Sequence, residues 1–210
     1  MPLIPQSEPS ASKSARKTSR STLQRQLADG SESKRRAAAL GLAEIDGAAP
    51  LLLARLADEP SPLVRAALFD ALAEQNDADT VPGIIDLLSS DTAEMRNEAV
   101  TLLQKMSTAV AGHMAPLLQS PDPDVRIMAV DILRLLPHPD APLWLRDLLM
   151  RETHTNVVGT AIDRLTDIGG PEHLAALREV STRFADEPYI QFAADTVIAR
   201  IENIAAGSAG

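Results

Sequence analysis

An all-α, right-handed α-solenoid of about five helical-pair repeats plus a terminal capping helix is the fold this sequence predicts. Three observations predict it: a motif that recurs about every 31 residues, helical spacing of the apolar residues inside each copy, and the absence of any sustained period-2 alternation. The clearest copies are Val64-Arg65…Leu68…Ala71-Leu72, Met95-Arg96…Ala99…Leu102-Leu103 and Val125-Arg126…Ala129…Ile132-Leu133. A weaker copy, Lys34-Arg35…Ala38…Gly41-Leu42, precedes them. Two degenerate copies follow, ending at Leu165 and Ile198 without the arginine.

Each unit divides into an A helix and a B helix. In the second unit, Val64, Leu68, Ala71 and Leu72 share one face of a helix predicted over 62–75. Ser61 and Pro62 give its start, an N-cap hydroxyl followed by the residue best tolerated at the first helical position. Asp91-Thr-Ala-Glu94 reads as an acidic capping box for the third unit, and Pro121 and Pro123 delimit the fourth. The B helices are expected at 49–56, 81–88, 113–118, 142–149 and 172–180. Helices this short are marginal alone, so the pairs must stack to enclose a core.

The 210 residues suit one domain, and 45% hydrophobic content supplies a core. The absence of cysteine excludes disulfides, thiol nucleophiles and thiolate metal sites. A net charge of -9 and 2% aromatic content argue against a nucleic-acid partner. The charge is uneven: residues 1–27 carry five basic side chains against Glu8. Residues 1–22 are predicted to be a disordered, basic, Ser/Pro-rich tail whose Lys13, Arg16, Lys17 and Arg20 would contact an acidic partner, a membrane surface or the solenoid itself, or remain a solvated leader. The solenoid is expected over 23–204, followed by a flexible tail over 205–210. The longest apolar stretch, around Ala48–Ala57, is too short to span a bilayer and contains Arg55, so no membrane span and a cytoplasmic location are expected.

DEPSPLVRAALFDAL (58–72), SDTAEMRNEAVTLL (90–103) and SPDPDVRIMAVDIL (120–133) resemble the HEAT-repeat superfamily, particularly its short bacterial form named for phycobilisome lyases. The resemblance covers about residues 31–204. It implies stacked helical pairs whose B helices line a concave binding surface, and its alternative to a binding role is a bilin-lyase-type subunit, which often works in a pair, or a chaperone of phycobiliprotein chromophorylation. HEAT-like deoxyhypusine hydroxylases hold iron with repeated His-Glu pairs, a step this chain lacks. HEAT-like DNA glycosylases use a basic channel, which an acidic solenoid does not supply.

Two constellations stand out. Arg35, Arg65, Arg96 and Arg126 recur once per repeat in the first turn of helix A. They are read as a scaffold ladder, pairing with turn carbonyls or with Asp58, Asp91, Asp122 or Asp124. Aligning the B helices by Leu87, Leu117, Leu148 and Leu177 brings Gly83, His113, Trp144 and His173 into register, with Asp86 and Asp147 alongside. A ridge of His113, Trp144 and His173 would anchor a protein or peptide partner, and Asp86 and Asp147 would favour a basic one. His113 and His173 stand two repeats apart and cannot share an ion, so no metal is expected. No Gly-x-Ser-x-Gly elbow, Walker loop or dinucleotide fingerprint is present. The sequence therefore predicts a non-enzymatic protein-binding adaptor without a cofactor.

Overall fold

The computed structural model describes residues 19–207. The helices are α1 (Arg20–Leu27), α2 (Glu32–Ala43), α3 (Ala49–Asp58), α4 (Pro62–Gln75), α5 (Val81–Asp86), α6 (Ala93–Lys105), α7 (Ser107–Val110), α8 (Met114–Leu117), α9 (Pro123–Leu133), α10 (Ala141–Arg151), α11 (Thr155–Ile168), α12 (Leu174–Arg183) and α13 (Pro188–Gly207). No strand occurs among the described residues.

The helices form two layers of a solenoid. Helices α2, α4, α6, α9, α11 and α13 pack each on the next as the A layer. The B layer comprises α3, then α5 with its flanking 3₁₀ turns, then α7 and α8, then α10 and α12. A lone helix closes each end: α1 lies against α2, and α13 lies against α11 and α12.

The core runs the length of the stack as one cluster. Helix α4 shows how the sequence builds it. The Ser61 hydroxyl accepts from the Val64 N–H, Pro62 fills the first turn, and Asn76 ends the helix in the left-handed region at φ 44°. Between those ends Val64, Leu68, Ala71 and Leu72 are buried. Leu102 and Leu103, Ile132 and Leu133, and Leu165 repeat the pattern in α6, α9 and α11.

Four expectations are corrected. Ser19 caps α1, whose Leu23 and Leu27 are buried, so ordered structure begins before residue 23. Lys13, Arg16 and Lys17 lie outside the described residues. At the other end α13 passes 204 and continues through Ala205 and Ala206 to Gly207, because alanine favours the helix. The third unit starts one residue later than the predicted box: Thr92 is the N-cap, and it makes no side-chain cap bond. The B segment of that unit is broken into α7, a 3₁₀ turn at Ala111–His113, and α8, with Gly112 and Pro116 as the weak points.

Candidate partner-binding surface

The arginine ladder is committed to the scaffold. Each ladder arginine points Nη1 back at the turn preceding its own helix. Arg35 donates to the Asp29 and Gly30 carbonyls, Arg65 to those of Glu59 and Pro60, Arg96 to that of Ser90, and Arg126 to those of Ser120 and Pro121, all at 2.7–3.2 Å. In two units the other edge of the guanidinium reaches forward to the next unit. Arg35 forks onto Glu59 at 2.8 Å through both Nε and Nη2, and Arg126 onto Glu152 at 2.7 and 2.9 Å.

The carboxylates are thus Glu59 and Glu152, not Asp58, Asp91, Asp122 or Asp124. Both stand two residues before an N-cap, where the side chain also accepts the N-cap N–H: Ser61 N–H to Glu59 and His154 N–H to Glu152, each at 2.9 Å. Asp29, Ser90 and Ser120 occupy the same position and accept the equivalent bond. Opposite Arg35 and Arg126 that position holds a glutamate, which keeps the N-cap bond and also faces the arginine; opposite Arg65 and Arg96 it holds a serine. Burial pushes the Glu59 carboxyl upward, but Arg35, the Ser61 N–H and Arg55 outweigh it and hold the pKa at about 2. The Glu152 carboxyl is lowered by the same balance, burial opposed by Arg126 and the His154 N–H.

A second set of inter-repeat bonds has no counterpart in the sequence reading. Gln75 donates to the α2 end at Leu42, Ala43 and Ile45, Arg164 to the α9 end at Arg134, and Arg200 to the α11 end at Leu165 and Gly169. Arg151 and Arg183 do the same for α8 and α10 in the B layer. Each satisfies carbonyls that a helix end leaves open. The available signal was a donor in or near the last turn of α4, α10, α11 and α12; Arg200 instead lies seven residues before the end of α13.

The predicted His–Trp–His ridge does not form. His173 is fully buried. Its Nδ1 accepts the Gly170 N–H at 3.1 Å, so Nε2 carries the proton and donates to the Pro142 carbonyl at 2.9 Å. It ties α10 to the following unit and offers no contact surface. Trp144 is half-buried against the core, and its ring is stacked on His138 at 4.7 Å and 19°. Asp147 is exposed but engaged by its neighbour Arg146 at 2.7 Å.

Asp86 and His113 are brought together. They face one groove of about 420 Å³ between α5 and α8, with Pro82, Ile85, Pro116 and Leu117 as its apolar walls. Asp86 is exposed at the end of α5, and His113 is half-buried in the 3₁₀ turn before α8. The groove thus combines apolar walls with a carboxylate, an imidazole and the hydroxyls of Ser89 and Ser120. Close approach of the preceding B elements is permitted by Gly83, where a Cβ would overlap Leu53. Among the described residues no group of three or more His, Asp or Glu could hold a metal ion, and no helix is long and apolar enough to cross a membrane.

Residues 49–113 and 111–196 match the family model for HEAT repeats. No curated protein matches the sequence. Two crystal structures of engineered proteins are similar at 19% identity. One covers 88% of this chain and 96% of its own with a TM-score of 0.43, and the other 89% and 99% with 0.42. The complex of CpcE and CpcF of phycocyanin lyase from Nostoc sp. PCC7120 is similar at 16% identity over 94% of this chain and 100% of that one, with a TM-score of 0.39. With the family model spanning well over half of its length, and a stack of helix pairs bearing one arginine per unit in the first four, the chain belongs to the HEAT-repeat family.

Proposed function

We propose that this chain is a non-enzymatic protein-binding scaffold whose B-helix layer takes a short partner segment into the groove between α5 and α8. HEAT-type solenoids present extended binding surfaces of this kind. The observation that carries the reading is that Asp86 and His113 line one groove with apolar walls. Such a site suits a segment with one apolar side chain for the floor and a basic one for Asp86. Trp144 and His173 act behind it, as packing and as a repeat-to-repeat tie.

A photo-crosslinking residue placed at Ser89, which lines this groove, tests the reading against the same residue placed at Asp147. In host extract the Ser89 probe should yield a discrete adduct that is lost with the pair D86N/H113A. An adduct of equal yield from Asp147, insensitive to that pair, would overturn the placement. A coloured adduct on co-expression with bilin and an apophycobiliprotein would overturn the non-enzymatic part.

A further inference from the structure

The A layer has a groove of its own, between α4 and α6. Its volume is about 250 Å³, and its walls include Ala66, Phe69, Asp70, Glu98, Thr101 and Lys105. Two features set it apart. The Glu98 Oε2 atom is buried without a hydrogen-bond partner. Burial pushes the Glu98 carboxyl above its usual range, Arg65 offsets this in part, and Glu94 adds to it. Asp70, on the facing helix, is exposed and makes the second carboxylate of the groove; Lys105 is its one cation.

We propose that this groove is the docking site, within the same molecule, for the basic residues of the N-terminal segment, with Lys13 or Arg16 completing Glu98 and Asp70. Charge complementarity is the first argument. Residues 1–18 carry Lys13, Arg16 and Lys17 against Glu8, while the whole chain is at -9, so the remainder stands at -11. Nine of the cations in that remainder already serve the scaffold, donating to backbone carbonyls or to Glu59 and Glu152. Arg65, which offsets the burial of Glu98 in part, is held by the Glu59 and Pro60 carbonyls and makes no hydrogen bond to the Glu98 Oε2 atom.

Reach is the second argument. Arg20 fixes the start of α1 by donating to the Gly47 carbonyl at 2.8 Å, just beyond the C-terminal end of α2. Gln75, at the end of α4, bonds that same α2 end. The segment therefore leaves the solenoid near the C-terminal ends of the A helices. Packed helices lie roughly 8–10 Å apart, so the groove between α4 and α6, two and a half spacings beyond α1, lies about 20–25 Å from the start of the segment. Six extended residues from Ser19 back to Lys13 span about 20 Å, before the lysine side chain is counted. The basic cluster falls at the distance of the groove.

The chain has no cysteine, so Ser14→Cys gives a single site for a nitroxide label on the full-length protein. Paramagnetic broadening of backbone amides then maps where the segment rests. Broadening should centre on Asn97, Thr101 and Lys105 of α6 and on Asp70 of α4. It should fade as NaCl rises from about 0.05 M to about 0.5 M, since screening shortens the reach of exposed charges. The pair D70N/E98Q, which removes charge without removing a scaffold bond, should abolish it at low salt with helical content intact. Broadening confined to α1 and α2, centred on the Asp86–His113 groove, or unchanged by D70N/E98Q would overturn the proposal. So would broadening seen only when the label sits on a second copy mixed with unlabelled protein.

Discussion

Arg35 and Glu59 stand 24 residues apart and share two parallel hydrogen bonds of 2.8 Å, with the carboxylate buried between consecutive repeats. Arg126 and Glu152 repeat the arrangement three units later. The intervening ladder positions, Arg65 and Arg96, have Ser90 and Ser120 where the carboxylate would be, and keep only the carbonyl contacts. The solenoid is therefore clamped near its ends and more loosely tied in the middle, next to the groove that carries Asp86 and His113.

Removing the Glu59 charge should destabilise the fold strongly. E59Q leaves Arg35 and Arg55 without the carboxylate charge that both bond, so its loss should exceed that of an exposed carboxylate. Urea unfolding followed by circular dichroism measures it; a loss indistinguishable from that of D58N would contradict the clamp.

The same carboxylate sets an acid limit. Its folded pKa of about 2 lies below the ordinary 4.5, so its contribution is complete above pH 4.5 and disappears as pH falls toward 2. Glu152 is lowered in the same direction. Thermal melts between pH 6 and pH 2 should therefore show a fall in Tm over that window that is smaller in E59Q than in the wild type.

Lysine should not replace the ladder arginines equally. At Arg126 it forfeits a two-pronged bond to Glu152 together with carbonyl contacts; at Arg96 it forfeits one bond, to the Ser90 carbonyl. R126K should cost more stability than R96K by about 1 kcal/mol or more, read from paired denaturation curves.

Gly169 ends α11 against the Leu165 carbonyl, where a Cβ would lie only 2.5 Å from the oxygen. Backbone cannot move aside as a side-chain tip can. G169A should therefore destabilise by roughly 1–3 kcal/mol. G83A meets only the flexible end of Leu53 and should cost less.

The periodic part of the molecule was legible in the sequence. The six-fold spacing, the bounds of α4 and the scaffold position of the arginines all depend on residues three to eight apart on regular helix, where geometry follows from count. The ladder's acidic partners were not legible. Glu59 and Glu152 lie in turns, where a shift of one residue from Asp58 decides which side chain faces the arginine. The predicted ridge failed for a related reason. His113 and His173 sit in 3₁₀ turns, Trp144 in an α-helix, and a 3₁₀ turn advances by a wider angle per residue than an α-helix does. Counting back from an aligned leucine therefore placed three side chains on one face that the backbone sends to three environments.

Asp86 and His113 line an open groove, whereas Trp144 and His173 pack within the scaffold. Quantitative retention of partner from host extract on D86N/H113A, W144A and wild-type protein, with helical content measured on each, tests which pair binds. The expected result is loss of the partner with D86N/H113A at unchanged stability, and retention with W144A despite a lower Tm. Retention by D86N/H113A, together with loss by a fully folded W144A, would contradict it and return the binding surface to the tryptophan.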